Sequence, residues 1–89
     1  MTYELKKIEL HNDIEPLQLG DRCELGFCIG RGIVSEHLWV RVYARSQNGQ
    51  VYFGCLEKDA ARIDLVAGTT IKFTSEHVVR VRRRAPTQC

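Results

Sequence analysis

Hydrophobic and polar residues alternate with a period of two through most of the chain after residue 22. This is the pattern of β-strands that bury one face. It predicts strands over 23–29, 37–45, 51–55, 70–74 and 79–82, with a further edge strand over 3–10. Because no heptad, internal repeat or long amphipathic helix interrupts the pattern, the sequence predicts a mainly β protein.

Turn signals separate the predicted strands. Asn48-Gly49 predicts a two-residue type I′ hairpin turn, since asparagine and glycine tolerate the positive φ that this turn requires. Gly30-Arg31-Gly32 predicts a bend after the first strand, and Ala67-Gly68 predicts a turn before the fourth. Residues 75–77 predict one turn of 3₁₀ helix, and residues 57–62 predict a helical turn.

Five or six short strands in a chain of 89 residues most economically form a small SH3-like, partly open barrel of antiparallel strands, because closure shortens the exposed strand edges. A two-layer sandwich requires more strands than the pattern offers. We therefore expect a single β-barrel domain over 1–82. Its amino-terminal segment, 1–20, packs on the barrel, and residues 83–89 form a flexible basic tail.

The alternation also assigns two faces to each strand. The side chains expected to fill the barrel are Leu38, Val40, Val42, Val51, Phe53, Ile71, Phe73, Val79 and Val81. The outer face then carries Trp39, Arg41, Tyr43 and Arg45 along one strand, extended by Tyr52 and Leu56 and by Arg80 and Arg82. Tryptophan, tyrosine and arginine dominate the energetics of protein interfaces. We therefore predict a partner-binding surface formed by Trp39, Arg41, Tyr43, Arg45, Tyr52, Arg80 and Arg82.

A second arrangement would hide the indole. The amino-terminal segment carries six apolar or aromatic side chains that need a surface to pack on: Tyr3, Leu5, Ile8, Leu10, Ile14 and Leu17. If they cover Trp39, the outer face loses its largest side chain. Both arrangements agree with the pattern.

Charge is distributed unevenly, although the net charge is only +2. Residues 1–24 hold six acids and three bases, whereas residues 76–89 hold four arginines and one acid. One interpretation is that the two ends lie side by side and neutralise each other. The other is that the arginines meet an external acidic surface, on a protein or on a nucleic acid.

Cofactor and metal chemistry is not indicated. The four cysteines, Cys23, Cys28, Cys55 and Cys89, lack the Cys-x2-Cys spacing of zinc and redox sites. We expect thiols, three of which act as small apolar side chains in or beside strands. No apolar run approaches the roughly 20 residues that span a bilayer, and the first residues lack the apolar stretch of a signal peptide. We therefore expect a cytoplasmic protein with no membrane partner.

The sequence does not assemble a catalytic site either. His37 follows Glu36 and His77 follows Glu76, but neighbours on a strand point to opposite faces, so neither pair forms a base with its orienting group. A chain this short also leaves little room for a substrate cleft. We expect no enzyme activity, and a small hydrolase or metal-dependent enzyme is the least favoured class.

Five short motifs follow one another along the chain. They are Leu19-Gly20-Asp21, Glu36–Val42, Tyr52–Leu56, Ala67–Phe73 and Glu76–Val79. This order resembles that of small bacterial domains of unknown function that include YegJ-like proteins and a class of toxin-immunity proteins. Leu38 stands where that family has methionine, and Thr69 replaces an acid. The resemblance implies a compact β-rich module without demonstrated catalysis, some relatives of which inhibit a partner protein by binding it.

Two functions of different classes follow from the outer face. The first is a non-catalytic protein-binding module, monomeric or homodimeric, that occludes an acidic partner as an immunity protein or a phage-borne counter-defence factor of the anti-CRISPR type would. The alternative is a nucleic-acid-binding SH3-like or OB-like domain, in which Trp39 and Tyr43 stack on bases and the arginines meet phosphates. The eleven acidic residues argue against the alternative, because nucleic-acid-binding domains are usually more basic.

Overall fold

Six strands and one 3₁₀ turn make up the regular structure of the residues that the computed structural model describes, 3–7, 16–30 and 34–83. The strands are β1 (Glu4–Leu5), β2 (Arg22–Ile29), β3 (Val34–Arg45), β4 (Tyr52–Leu56), β5 (Thr70–Phe73) and β6 (Val78–Arg82). The 3₁₀ turn, Ser75–His77, connects β5 to β6 as predicted. The predicted strands are confirmed to within a few residues. The exception is β1, which has only two residues, while residues 8–10 of its predicted range lie outside the described part of the chain.

All six strands join one antiparallel sheet in which β2 is central. β2 pairs with β3 on one side and with both β1 and β6 on the other. β4 pairs with β3 and β5 pairs with β4. This order, with a 3₁₀ turn before the last strand, is that of a small SH3-like barrel, and the sheet curls into a partly open half-barrel. The predicted fold class is therefore confirmed. In the described residues no helix is long enough to cross a membrane.

The inner side of the curled sheet holds the core. Its buried side chains are Leu17, Cys23, Leu25, Phe27, Leu38, Val40, Val42, Tyr52, Leu56, Ile63, Ile71, Phe73 and Val78. Of the side chains expected to fill the barrel, those of β3 and β5 are confirmed as buried. Of the core side chains predicted for β4 and β6, only Val81 packs against the core. The pairing register of each strand explains the difference.

The inward and outward sides of β4 are the reverse of the prediction. Val51 and Phe53, which we expected in the core, are only half-buried, whereas Tyr52 and Leu56 are buried. Val40 is a core residue that pairs with Leu56, and directly paired residues of an antiparallel sheet share a face. The even-numbered residues of β4 therefore point inward.

A β-bulge changes which residues of β6 point toward the core. Leu25 pairs with Val78, and the register shifts at Val79. Val78 is buried and Val79 is only half-buried, so the prediction that Val79 fills the core is wrong. The extra residue of a bulge changes which residues of a strand face the core. Val81, beyond the bulge, packs against the core as expected.

The turn between β3 and β4 is longer than predicted. The Ser46 N–H donates to the Val51 carbonyl at 2.8 Å, which closes a loop of residues 47–50. Gly49 has a φ of 72°, and the Asn48 side chain accepts a hydrogen bond from the Ser46 hydroxyl at 2.6 Å. The hairpin is confirmed, but its turn is not the two-residue type I′ turn.

A carboxylate, rather than a helical turn, organises the segment after β4. Glu36 on β3 accepts the N–H groups of Ala61 and Arg62, each at 2.7 Å, and Ile63 is buried in the core. The helical turn predicted over 57–62 is therefore wrong, because these residues form bends and irregular backbone.

The described residues near both ends of the chain pack on the barrel. The Tyr3 ring lies 5.3 Å from the ring of Phe27. Arg83 donates to the buried carboxylate of Asp21 at 3.1 Å. Residues 84–89 lie outside the described range, so the flexible basic tail over 83–89 stays a prediction.

Replacing Gly54 by alanine is expected to lower the free energy of unfolding by about 1–3 kcal/mol. Gly54 lies on the inner side of β4, where a Cβ would come within 3.0–3.1 Å of the Val40 side chain and 3.3 Å of the Arg41 carbonyl oxygen. Val40 is β-branched and packed on all sides, so it has little freedom to move away. Urea unfolding monitored by circular dichroism measures the change.

Gly26→Ala is the matched control for this substitution. A Cβ at Gly26 would lie 3.3 Å from the Lys6 side chain and 3.4 Å from the His37 ring. The long lysine side chain can move aside, so we expect a change within about 0.5 kcal/mol. Equal losses at the two glycines would contradict the tight contact assigned to Gly54.

Candidate interaction surface

The outer side of β2, β3 and β6 carries arginines around one tryptophan. We name Arg22, Trp39, Arg41, Arg80 and Arg82 the arginine–tryptophan face. Arg22 of β2 pairs with Arg41 of β3 and with Arg82 of β6, so three guanidinium-bearing residues form a row across the sheet. They point away from the core because the next residue of β2, Cys23, is fully buried on the inner side.

A second row runs beside the first. Glu24 of β2 pairs with Trp39 of β3 and with Arg80 of β6. The Arg80 Nε donates to the Glu24 carboxylate at 3.0 Å. The Glu24 side chain is only 10% exposed, whereas that of Arg80 is 71% exposed. The carboxylate is therefore covered by its neighbours, while the guanidinium lies in solvent.

Trp39 is half-buried, and arginines flank its indole. The guanidinium carbon of Arg22 lies 5.5 Å from the ring centroid and that of Arg82 lies 5.9 Å from it. Both are within the range of cation–π attraction. Part of the indole is therefore covered by side chains of the face itself.

In the alternative arrangement, side chains of the amino-terminal segment would cover Trp39. The described residues of that segment do not provide this cover. Three of the six side chains considered for that role pack within or against the core: Tyr3, Leu5 and Leu17. Ile8, Leu10 and Ile14 lie outside the described residues.

Glu57, the first residue after β4, borders the face. Arg22 donates to its carboxylate through Nε at 2.9 Å and through Nη2 at 2.6 Å, and the Arg41 Nη2 lies 3.5 Å from it. The hydrogen bonds from Arg22 hold the pKa of Glu57 below its usual value of 4.5. The Glu57 carboxylate thus accepts hydrogen bonds from two nitrogens of the Arg22 guanidinium, which is the strong, two-pronged geometry of arginine–carboxylate pairs.

The arginine–tryptophan face carries more positive than negative charge. Three of its four guanidinium groups, those of Arg22, Arg41 and Arg80, contact two carboxylates, Glu24 and Glu57. The interpretation that the oppositely charged ends lie side by side is confirmed by the Arg80–Glu24 and Arg83–Asp21 pairs. Contact of the arginines with an external acidic surface stays a prediction, and the excess positive charge of the face agrees with it.

Tyr52 does not lie on the outer face, contrary to the prediction. It is 3% exposed, its ring lies 5.7 Å from that of Phe73, and its hydroxyl accepts the Leu17 N–H at 3.3 Å. Leu56, which was expected to extend the same surface, is 2% exposed. Both side chains point inward because the even-numbered residues of β4 face the core.

Arg45 leaves the face because β3 contains a bulge. The register of β3 against β4 shifts at Tyr43, and the residues beyond a bulge change sides. Arg45 then pairs with the buried Tyr52 and donates from Nη1 to the Leu17 carbonyl at 3.2 Å. Its predicted place beside Trp39 is therefore wrong.

Tyr43 is exposed as expected, with 51% of its surface open to solvent. Its hydroxyl lies 3.1 Å from the hydroxyl of Thr70 on β5, so the side chain reaches across the sheet toward the edge distant from β2. Of the seven predicted residues, the structure brings together Trp39, Arg41, Arg80 and Arg82.

Three residues of the surface were missed from the sequence: Arg22, Glu24 and Glu57. The alternation of β2 already places Arg22 and Glu24 opposite the core side chains of that strand. Their position beside Trp39 depends on the pairing of β2 with β3, which the alternation does not give. Glu57 follows the last core residue of β4, and no local signal connects it to Arg22, 35 residues away.

The thiols agree with the sequence analysis. Cys23, Cys28 and Cys55 are free, while Cys89 lies outside the described residues. Burial, together with the nearby charge of Asp21, raises the pKa of Cys23 to about 12, so this thiol stays protonated and unreactive. In the described part of the chain no three metal-binding side chains lie together.

Comparisons with known proteins provide no relative. No family model, curated protein or solved structure matches the chain significantly. The resemblance to YegJ-like and toxin-immunity domains therefore stays a prediction from the motifs, and function has to be argued from the arginine–tryptophan face.

Acidification is expected to destabilise the wild-type protein more than a Glu57→Gln variant. The pKa of Glu57 is lowered on folding from 4.5, mainly by Arg22. The stability that this pair contributes is therefore complete above pH 4.5 and is lost as the pH falls through the folded-state pKa. Urea unfolding at about pH 6 and about pH 3.5 measures the difference.

Glu76→Gln is the control for this pH dependence, because Glu76 is exposed on the 3₁₀ turn. It should keep the acid sensitivity of the wild type. If Glu57→Gln also kept that sensitivity in full, the assigned contribution of the Arg22–Glu57 pair would be wrong.

Proposed function

We propose that this protein is a non-catalytic binding module that inhibits an acidic partner protein by covering it with the arginine–tryptophan face. The observation that carries the proposal is the indole of Trp39 on the outer side of the sheet, with the guanidinium carbons of Arg22 and Arg82 at 5.5 Å and 5.9 Å from its ring centroid. Tryptophan and arginine supply a disproportionate share of binding energy at interfaces, because they combine large contact area with hydrogen bonding or charge.

Two arginines of the face are held by hydrogen bonds within the chain. Arg22 is fixed by its hydrogen bonds to Glu57, and Arg80 by its bond to Glu24. Side chains that are held in place lose less conformational entropy on binding than mobile ones. Such a surface is sufficient for inhibition by occlusion, which requires no chemistry.

Charge favours a protein over a nucleic acid as the partner. The exposed guanidinium groups of Arg41 and Arg80 attract anions, but Glu24 and Glu57 lie among them. A continuous phosphate backbone would bring charge close to these carboxylates, whereas an acidic protein presents separate carboxylates that can pair with individual arginines. We therefore propose a protein partner, and the capture experiment includes a result that would favour a nucleic acid instead.

The biological role that we propose is that of an immunity protein or a phage-borne counter-defence factor. Such inhibitors act by binding alone, and the resemblance to toxin-immunity domains supports this reading. The proposal also includes membership of that family, which rests on the motifs between residues 19 and 81.

Affinity capture tests the proposed function. The immobilised protein is incubated with nuclease-treated extract of the source cells, in parallel with an Arg41→Glu/Arg80→Glu variant. We expect the wild type to retain an acidic protein at defined stoichiometry, because its exposed guanidinium groups pair with carboxylates. The charge-reversed variant should lose it, because reversing two charges replaces attraction by repulsion.

An Arg45→Glu/Lys72→Glu variant is the matched control, since it reverses the same charge away from the arginine–tryptophan face and should still capture the protein. Equal retention by all three proteins would contradict the proposal. Retention of nucleic acid from untreated extract, with no protein left after nuclease treatment, would favour the alternative function instead.

A further inference from the structure

A cleft of about 390 Å³ opens where β4 separates from β3, beside Trp39. β4 pairs with β3 only from Val40 onward, so the preceding edge of β3 borders the cleft. Residues 36–39 of β3 form one wall, and residues 57–59 form the other. Arg22 and Arg82 of the arginine–tryptophan face complete the lining.

Hydrogen bonds join the two walls at both ends of the cleft. At one end the Glu57 N–H donates to the Trp39 carbonyl at 3.1 Å. At the other end Glu36 accepts the N–H groups of Ala61 and Arg62. A partner strand therefore has no continuous edge to pair with. The cleft is large enough to admit a side chain of a partner.

The acidic residues that line the cleft are already engaged within the chain. Glu36 accepts two backbone N–H groups, and Glu57 accepts the hydrogen bonds of Arg22. The Asp59 carboxylate accepts the Ala67 N–H at 2.9 Å. Each of these carboxylates therefore accepts at least one hydrogen bond from a donor that belongs to the protein.

Two of the cationic residues that line the cleft are not engaged in this way. Among the described residues, neither Lys58 nor Arg82 has a carboxylate within 4 Å. Both are exposed, and the guanidinium carbon of Arg82 lies 5.9 Å from the ring centroid of Trp39. Lys58 and Arg82 are therefore the two cations of the cleft that are available to an external anion.

We propose that this cleft receives a single carboxylate-bearing side chain, aspartate or glutamate, of the partner protein. The inference rests on the proposed function and names the group that the site recognises. The carboxylate pairs with Arg82 and Lys58 while its methylene groups lie against the edge of Trp39. The Arg22–Glu57 pair shows the same chemistry within the chain, a carboxylate held by an arginine beside the same indole.

Binding of a fluorescent hexaglutamate peptide, followed by anisotropy at low salt, tests the carboxylate site in the cleft, with hexaglutamine as the uncharged reference. Three variants each remove two positive charges: Lys58→Gln/Arg82→Gln in the cleft, Arg41→Gln/Arg80→Gln on the rest of the face, and Arg45→Gln/Lys72→Gln elsewhere. We expect at least a tenfold loss of affinity for the first, a loss of about threefold for the second, and little change for the third.

The pattern of losses separates the two proposals. Equal losses for the first two variants, with the third unchanged, would overturn the carboxylate site in the cleft and leave the face as a diffuse contact surface. Equal losses for all three variants, or no binding of hexaglutamate by the wild type, would also overturn the carboxylate site, and the capture experiment would then decide on the face. Displacement of the peptide by a single-stranded oligonucleotide and not by N-acetylglutamate would assign the cleft to phosphate and contradict the carboxylate proposal.

Discussion

Replacing Val40 by aspartate is expected to prevent the protein from folding. Val40 has no surface exposed to solvent and pairs with Cys23 and Leu56, both of them core residues. A carboxylate at this position finds no hydrogen-bond donor, and burying it costs several kcal/mol. The whole stability of a small domain is only about 5–15 kcal/mol. Circular dichroism and urea unfolding should show the loss of the cooperative transition.

Arg41→Asp is the control, because Arg41 is the next residue of β3 but lies on the opposite side with its side chain 60% exposed. It should fold, with a loss of at most about 1 kcal/mol, since surface substitutions are usually mild. If Arg41→Asp also failed to fold, or if Val40→Asp folded like the wild type, the two faces of β3 would be wrongly assigned.

Replacing Trp39 by alanine is expected to weaken binding of the captured partner by about 2 kcal/mol or more, roughly 30-fold in the dissociation constant. The indole is the largest side chain of the arginine–tryptophan face, and its removal also takes away the ring against which Arg22 and Arg82 lie. The face therefore loses contact area and the ring beside which Arg82 lies. Isothermal titration calorimetry measures the change.

Arg45→Ala serves as the comparison for Trp39→Ala, since Arg45 lies beyond the bulge of β3 and away from the face. It should bind the partner as the wild type does. Thermal unfolding of both variants establishes that they are folded. Unchanged affinity for a folded Trp39→Ala variant would remove the indole from the interface.

The alternation of residue types was sufficient to predict the strands β2 to β6 and the two faces of β3 as far as Val42. The faces of β3 are predictable because a long strand with one buried side repeats the pattern, as Val40 between Trp39 and Arg41 illustrates. The predicted faces of β4 were wrong because Tyr52 and Phe53 are both large and apolar enough for a core position. Only the pairing of Val40 with Leu56 decides between them, and strand register is a long-range property.

The candidate site was predictable only in part, for a related reason. Arg45 lies beyond the bulge at Tyr43, and nothing in the local alternation signals the change of side. Arg22 and Glu57 were missed because they meet each other across 35 residues of sequence. Trp39 and Arg41 were found because they lie on a regular part of one strand, where local pattern and tertiary structure agree.

The central claim, that the arginine–tryptophan face is the surface that meets the partner, is tested most directly by nuclear magnetic resonance. The chain contains a single tryptophan, so its indole N–H gives an unambiguous signal in a ¹⁵N-labelled sample titrated with the captured partner. We predict that this signal and the Nε–H signals of Arg22, Arg80 and Arg82 shift together. Shifts confined to the hairpin loop 47–50 and to Arg45, with the indole signal unmoved, would contradict the account.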